Sequence, residues 1–308
     1  MATVMESRNR STVTEFILLG FPSDTGTQVA LFLLFSVVYV VLLAANIILI
    51  LAVTFDHHLH NPMYFFLINL SIINIGNPSV IVPKMLMDFL NKSIVFSACV
   101  TQMFLHFAMG GSECLLLVFM AYDRYVAICK PLHYSRIMNR SVCALMATVT
   151  WLTSFVMPSL SIFIISEITF CGSNIINHFL CSFPSLMLLS CSDTSALDFL
   201  PFLVGATILL VPLLLILFSY YKIISSIKGI QSRRYKAFSS CTPHLIVVFL
   251  FYGMAVVSFM RPNASVEDDS SKGVSVFYVI ITPLLNPMIY SLRNKDVIRA
   301  LRKLMRLP

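Results

Sequence analysis

Charged side chains are scarce in this sequence. Only 11% of its 308 residues are Asp, Glu, Lys or Arg, whereas 58% are hydrophobic, and the mean hydropathy is +0.87. A soluble domain carries about a quarter charged residues, so this chain cannot cover a surface that faces water. The net charge of +7 therefore does not indicate a nucleic-acid-binding patch. These shortages predict an integral membrane protein whose surroundings are lipid.

Residue patterns for catalysis are also missing. The sequence has no Ser/His/Asp constellation, no glycine-rich phosphate loop and no His/Cys cluster with metal-ligand spacing. The histidines of "DHHLH", residues 56–60, fit a solvated loop better than a metal site. We expect no enzymatic activity, no cofactor and no metal ion. Short alternating strands and internal repeats are not evident, which argues against a β-barrel and a repeat-built transporter.

Seven apolar stretches are each long enough to cross a bilayer as a helix, which takes about 20 residues. They lie near residues 29–53, 63–87, 98–122, 142–165, 197–221, 238–259 and 274–292. Asn and Pro interrupt the second and the seventh, which a bundle tolerates when neighbouring helices satisfy the freed backbone groups. The sequence predicts an all-α, seven-helix membrane bundle over 29–292, between an N-terminal tail (1–28) and a C-terminal tail (293–308).

Lys and Arg are concentrated in the loops after the third and fifth stretches and in the C-terminal tail. Such loops face the cytoplasm, so we expect a multi-pass protein of the plasma membrane with its N-terminus outside. The tail places Val297, Ile298 and Leu301 on roughly one face and cations on the other. This pattern predicts a short amphipathic helix on the inner membrane surface.

Eight cysteines are present, and the expected orientation places four of them at or beyond the outer face, where disulfides form. These are Cys99, Cys171, Cys181 and Cys191. Four cysteines allow three pairings, and the spacing does not choose among them. A long loop without evident structure joins the fourth and fifth stretches, and disulfides would pin it over the bundle. Among five Asn-x-Ser sequons, Asn9 in the exposed tail is the predicted glycan acceptor.

A few polar side chains lie inside the apolar stretches, where they are costly and usually functional. They are Asn74, His106, Glu113, His244 and Asn286. For His106, a neutral packed histidine and a ligand-facing role are both open. For Glu113, an internal hydrogen-bonding role is favoured over ligand contact. The set is too small and too scattered for the continuous polar path of a channel or transporter.

Several motifs extend in order along the whole chain. They are "VTEFILLGF", "LHNPMYFFLINLS", "MAYDRYVAICKPLHY", "SY" at the end of the fifth stretch, "KAFSSCTPH" and "PLLNPMIYSLRNKDV". Together they resemble the olfactory receptors, a branch of the rhodopsin-like G-protein-coupled receptors. The resemblance implies a receptor that binds small, mostly hydrophobic volatile molecules and activates a stimulatory, olfactory-type G protein to raise cAMP. A non-olfactory rhodopsin-like receptor for a lipid or small metabolite is the alternative, since fold does not fix ligand.

The resemblance also implies roles for individual residues. Arg124 of the triplet Asp123–Tyr125 would pair with Asp123 at rest and face the G protein after activation. The other residues of this switch are Tyr220, His244, Asn286, Pro287 and Tyr290. The disulfides would be Cys99–Cys181 and Cys171–Cys191.

Two positions depart from the family pattern. Asn74 stands where the family usually has Asp, so of the internal polar pair Asn74 and Glu113 only Glu113 could carry charge, and we expect weak sodium coupling. Pro243 replaces a small residue, and a proline inside a helix kinks it. We therefore expect Pro243 to affect basal signalling.

The expected ligand site comes from the third, fifth, sixth and seventh helices. Helical spacing puts Met103, His106, Phe107, Gly110 and Gly111 on one stripe of the third. The facing residues are Gly205, Ile208 and Leu209, then Tyr252, Val256 and Phe259, then Val276 and Val279. Tyr252, in the "FYG" that replaces the Trp-containing toggle of other rhodopsin-like receptors, would form the floor. The lining is mostly apolar, as small-molecule sites usually are, although ordinary packing would produce much of the same pattern.

Overall fold

The computed structural model describes residues 13–21, 24–170, 173–191, 195–227, 231–259, 269–292 and 295–304. The chain forms seven spans. They are span 1 (Thr25–Phe55), span 2 (Pro62–Met87), span 3 (Phe96–Cys129), span 4 (Arg140–Val156 with Ser159–Glu167), span 5 (Ser195–Ile227), span 6 (Gln231–Phe259) and span 7 (Asp269–Val276, Phe277–Ile281 and Thr282–Leu292). Six have the length and composition to cross a membrane, and span 6 contributes the shorter apolar helix Cys241–Val257. The predicted all-α membrane bundle is confirmed.

Asp or Asn side chains cap the starts of three spans. Asp24 accepts a hydrogen bond from the Thr27 amide (2.9 Å), and Asn139 accepts one from the Val142 amide (3.0 Å). Asn61 caps span 2, whose first residue is proline. These are the residue types that best satisfy the free amides of a helix start. The polar residue before each apolar run therefore sets where the helix begins.

Prolines and one π-helical turn interrupt the later spans. Span 4 divides at Pro158, which lacks the amide hydrogen that a continuous helix needs. Pro243 lies inside span 6 and Pro287 inside span 7. Span 7 also contains the π-helical turn Phe277–Ile281. Such turns insert a residue and occur often at functional sites.

The outward faces of the spans are apolar. Val40 in span 1, Leu214 in span 5 and Phe249 in span 6 are each more than half exposed, and Phe249 reaches 76%. A water-soluble monomer does not expose large continuous apolar areas. This surface is suited to lipid contact and agrees with the scarcity of charge in the sequence.

A small three-stranded sheet covers one end of the bundle, called the sheet end below. Its strands are β1 (Glu15–Leu18), β2 (Ser93–Val95) and β3 (Ile175–Ile176), in the order β2-β1-β3. β1 runs antiparallel to β2 and parallel to β3. Phe16 and Leu18 of β1 are fully buried against the ends of spans 3 and 4. No strand is predicted from the sequence in these segments, so this sheet is an addition to the predicted fold.

A disulfide between Cys99 and Cys181 joins the start of span 3 to the loop after span 4. This is the pairing that the resemblance implies. Gln102 strengthens the connection, because its oxygen accepts from the Cys181 amide (2.9 Å) and its nitrogen donates to the Val80 carbonyl of span 2 (3.3 Å). Cys191 is also disulfide-bonded, while Cys171, its expected partner, lies outside the described residues.

A short helix, Lys295–Leu304, follows span 7 at the opposite end. Val297 and Ala300 on its inner face are buried in the main core. The helix contacts span 1 and the loop after it. The end of the bundle that contains this helix and Arg124 is called the Arg124 end below.

Candidate functional site

A buried chain of amide and carboxyl groups connects four spans in the middle of the bundle. Asn286 of span 7 donates to Asn74 of span 2 (3.1 Å) and to the Glu113 carboxyl of span 3 (3.4 Å). Asn74 in turn donates to Asn46 of span 1 (3.3 Å), which donates to the Pro283 carbonyl of span 7 (3.2 Å). Each side chain is at most 2% exposed. Because unpaired polar groups are costly away from water, these bonds fix how spans 1, 2, 3 and 7 sit together.

At the Arg124 end, Asp123 accepts a hydrogen bond from the Tyr134 phenol (2.7 Å). Tyr134 begins the short helix Tyr134–Ile137, which follows span 3. Burial, and then the charge of Asp123, raises the pKa of the Tyr134 phenol, so it stays protonated and remains a donor. The positive charge of Arg124 also interacts electrostatically with Asp123 and with Tyr134. Asp123 of the Asp-Arg-Tyr triplet is therefore hydrogen-bonded to the short helix that follows span 3.

Spans 3, 5 and 6 meet at His244. The Tyr220 hydroxyl lies 2.7 Å from Nδ1 of His244, and Nε2 of the same ring lies 3.1 Å from the Leu117 carbonyl. A carbonyl oxygen can only accept, so Nε2 carries the proton and Nδ1 accepts from Tyr220. Both side chains are buried. The expected switch residues Tyr220 and His244 are thus in direct contact.

The remaining switch residues lie in or near the same core. Tyr290 is buried, and within the described part of the chain its hydroxyl has no hydrogen-bond partner. Tyr125 lies beside Tyr122 with ring centroids 6.2 Å apart, and the Lys130 ammonium is 6.0 Å from its ring. Pro287 follows the bridging residue Asn286 within span 7.

Nearer the sheet end, His106 is the centre of a second polar site. Its Nδ1 lies 2.7 Å from Oδ1 of Asn77 in span 2. The Tyr278 ring of span 7 stands edge-on to the His106 ring with centroids 5.8 Å apart. A Cβ atom built on Gly110 would lie 2.8 Å from the Tyr278 hydroxyl. Gly110 is therefore the residue that leaves room for this phenol.

The loop after span 4 places His178 close to this site. Nδ1 of His178 accepts from the Leu180 amide (3.3 Å), and Nε2 lies 3.3 Å from the Ser275 hydroxyl of span 7. Lys272, also buried, donates to Asn177 (2.9 Å). Burial lowers the pKa of His178 to about 4, and the Lys272 charge acts in the same direction. The ring is neutral at physiological pH and joins the loop to span 7.

The residues predicted for the ligand site separate into several groups. Met103 is buried in the sheet-end cluster beneath Cys181, whereas Phe107 is 43% exposed. Gly111 faces span 4, where its Cβ would lie 3.5 Å from Ser154 Oγ. Leu209 and Tyr252 are buried in the main core, with Ile208 and Val256 packed against it. Gly205 is half-buried, and the Phe259 side chain lies outside the described residues.

The seventh span places both of its predicted residues in one apolar cluster. Val279 is fully buried in a cluster with residues of spans 1 and 2, such as Leu42 and Ile81, and Val276 packs against the same cluster. Tyr278 packs against the same cluster and also lies beside His106. The π-helical turn Phe277–Ile281 changes the helical register in this part of span 7.

Several residues of these sites were missed by the sequence reasoning. Asn46 and Asn77 are amides inside apolar stretches, so the rule that selected Asn74 would also have found them. No local signal points to Tyr278 or His178. Within the described ranges, no group of three His, Cys, Asp or Glu residues is arranged to hold a metal ion. The predicted glycan acceptor Asn9 lies outside the described residues.

The architecture has a clear counterpart among solved structures. The crystal structure of squid rhodopsin superimposes with a TM-score of 0.72 over 93% of this chain and 87% of that one, at 20% sequence identity. At this identity the likeness establishes the fold alone. The molecule therefore has the seven-helix fold of rhodopsin.

Sequence comparisons narrow the class to one family. A family model described as olfactory receptor matches residues 35–307. Olfactory receptor 6B1 of Homo sapiens is 43% identical over 302 residues, which cover 97% of each chain. Olfactory receptor 226 of Rattus norvegicus is 44% identical over 312 residues, covering 98% of this chain and 95% of that one. Olfactory receptor 5AR1 of Mus musculus is 44% identical over 304 residues, covering 97% and 98%. The chain belongs to the olfactory receptor family.

Proposed function

We propose that this protein is an odorant receptor of the plasma membrane, which binds small, mostly hydrophobic volatile molecules within its helix bundle. Binding activates a heterotrimeric, stimulatory G protein of the olfactory type and raises cAMP. The observation that carries the proposal is the His106 site. It combines a few polar groups with apolar neighbours and lies under a loop that a disulfide fixes, in a chain of this family.

The ligand would lie between spans 3, 5, 6 and 7, beside His106 and Gly110. The partial exposure of Gly110 and Phe107 supports this location. Apolar burial contributes about 25 cal/mol per Å², so a small volatile molecule would bind weakly. His178 and the disulfide-linked loop would close the site from the sheet end.

The Arg124 end would face the cytoplasm, because Lys and Arg are concentrated in the loops and tail on that side. The N-terminus would then be extracellular, with a glycan on Asn9 and a second disulfide between Cys171 and Cys191. In the resting receptor, the hydrogen bond between Tyr134 and Asp123 would fix the segment beside Arg124. On activation, span 6 would move and Arg124 would contact the G protein. Asn286 would link this movement to the ligand site through the buried polar chain.

A cAMP assay tests the proposal in cells that supply the olfactory G protein. The receptor and its Arg124→Ala variant are compared at equal surface expression against a broad panel of volatile molecules. We expect responses from the receptor that the variant loses. Arg136→Ala, which removes an exposed arginine at the same end, is the matched control and should keep the responses. Substrate flux across the membrane without any G-protein response would contradict the proposal.

A further inference from the structure

The His106 ring has one nitrogen that is hydrogen-bonded and one that is available. Its Nδ1 lies 2.7 Å from the Asn77 amide oxygen, which can only accept, so Nδ1 carries the proton. A charged ring would be costly inside a membrane bundle, so the ring is neutral and Nε2 presents a lone pair. In the part of the chain that the structure describes, no donor lies within hydrogen-bonding distance of Nε2.

The Tyr278 phenol provides the complementary group. The π-helical turn of span 7 brings its ring edge-on to His106, with centroids 5.8 Å apart. Among the described residues, the Tyr278 hydroxyl has no hydrogen-bond partner either. A ring nitrogen that accepts and a phenol that donates therefore lie next to each other between spans 3 and 7.

Aromatic rings surround part of this pair. The Phe251 ring lies 5.5 Å from the Tyr278 ring between centroids. A Cβ atom on Gly110 would meet the Tyr278 oxygen and, among the described residues, no other atom within 4 Å. The apolar skeleton of a ligand would lie against these rings, and the pair can take one small polar group.

We propose that His106 and Tyr278 form a hydroxyl-binding subsite, and that the receptor selects small, otherwise apolar alcohols. This inference rests on the proposed odorant-binding function and names its ligand class. The ligand O–H donates to Nε2 of His106, and the ligand oxygen accepts from the Tyr278 hydroxyl. A single hydroxyl group thus satisfies both partners.

Other functional groups match the pair less well. An aldehyde, ketone or ether oxygen accepts from Tyr278 but leaves Nε2 without a donor. A carboxylate places negative charge against the Nε2 lone pair, and a hydrocarbon satisfies neither group. Leaving one polar group of a buried site unpaired weakens binding about tenfold.

Binding by the purified full-length receptor in lipid nanodiscs tests the inference without any G protein. The probes share one skeleton and differ in the polar group: octanol, octanal, octanoic acid, heptyl methyl ether and octane, with menthol and menthone as a cyclic pair. Binding is followed by the rise in unfolding temperature with probe concentration. We expect the alcohol of each skeleton to bind about tenfold more tightly than its carbonyl or ether analogue. Equal or tighter binding of a carbonyl, acid or ether probe overturns the subsite.

Two variants locate the effect. Tyr278→Phe removes only the hydroxyl, and His106→Phe removes the accepting nitrogen. Each should reduce the alcohol preference about tenfold, and the loss from Tyr278→Phe alone is sufficient if His106→Phe does not fold. Tyr39→Phe is the matched control, because it removes a hydroxyl that bonds Ser79 between spans 1 and 2, and it should keep the preference. An alcohol preference that survives Tyr278→Phe overturns the subsite.

The same probes in the cAMP assay separate this inference from the proposed function. Selective alcohol binding without a cAMP response supports the subsite and contradicts the receptor proposal. If the cAMP responses are strongest for carbonyl, acid or ether probes, the receptor proposal is supported and the subsite is contradicted. If no probe binds, the subsite is overturned, and the receptor proposal is decided by the broad panel.

Discussion

The Tyr220 hydroxyl donates to Nδ1 of His244 at 2.7 Å, and the same ring donates from Nε2 to the Leu117 carbonyl at 3.1 Å. One neutral imidazole therefore joins spans 5, 6 and 3 with both of its nitrogens. A proton added to Nδ1 would remove the lone pair that Tyr220 uses. The contact depends on a single tautomer of a buried ring.

Removing either side chain should weaken this three-span contact. Tyr220→Phe leaves Nδ1 of His244 unpaired, so we expect the free energy of unfolding to fall by about 1–3 kcal/mol. His244→Phe should also destabilise, and the double variant should lose less than the sum of the single variants. Thermal unfolding of the purified receptor measures all three. Ser219→Ala, whose hydroxyl bonds only within its own helix, should change little, and an unfolding temperature of Tyr220→Phe equal to wild type contradicts the assignment.

Gly110 should be intolerant of even a methyl group. A Cβ there would lie 2.8 Å from the Tyr278 hydroxyl, and overpacking of this kind costs about 1–3 kcal/mol. We expect Gly110→Ala to lower the unfolding temperature, and Tyr278→Phe to restore part of the loss by removing the clashing oxygen. Gly253→Ala is the matched control in span 6, because no described atom lies within 4 Å of its Cβ position. A double variant no more stable than Gly110→Ala alone would show that the clash lies elsewhere.

Tyr134→Phe should raise basal cAMP, if the proposed coupling holds. The variant removes the phenol that donates to Asp123 at 2.7 Å, and a hydrogen bond to a charged group contributes about 1.5–3 kcal/mol. If this bond belongs to the resting state, its loss should increase a small active fraction roughly tenfold. Tyr221→Phe, at an exposed tyrosine near the same end, should keep the wild-type level. Unchanged basal cAMP in Tyr134→Phe, at matched surface expression, contradicts a resting role for the bond.

Acid should destabilise the loop that carries His178. Burial lowers the folded pKa to about 4 from an ordinary value of 6.5, so the unfolded chain binds a proton at a higher pH than the folded one. Stability is then full above about pH 6.5 and falls as the pH decreases towards about 4. The positive charge of Lys272 disfavours protonation of the ring further, and the neutral His106 ring lies nearby. Unfolding temperatures across this range should show a steeper decline for wild type than for His178→Asn, whereas His133→Asn at the other end should keep the wild-type slope. Identical slopes for wild type and His178→Asn contradict the prediction.

The helices could be predicted from the sequence because each apolar stretch carries its own signal, and a cap residue such as Asp24 or Asn139 marks its start. The sheet could not be predicted. Its strands have two to four residues each and come from three distant parts of the chain. Strands this short have no readable alternation, and their pairing depends on the bundle that brings them together.

The sites could be predicted from the sequence only where a polar side chain lies inside an apolar stretch, because burying such a group costs free energy. Asn74, Glu113 and Asn286 are polar groups in apolar surroundings, and they do lie together. Tyr278 is an ordinary residue for a membrane helix, and the residues predicted from that span are Val276 and Val279. The π-helical turn that contains Tyr278 leaves no mark on local periodicity.

The strand order of the sheet has a consequence for how the protein is made. β1 is synthesised first, yet it is the central strand, and its neighbours β2 and β3 come from either side of spans 3 and 4. One edge of β1 can pair with β2 once two spans have been made, whereas the edge that pairs with β3 stays open until four spans have been made. Unpaired strand edges promote association with other chains. Closure of the sheet thus joins the oldest part of the chain to a much younger one.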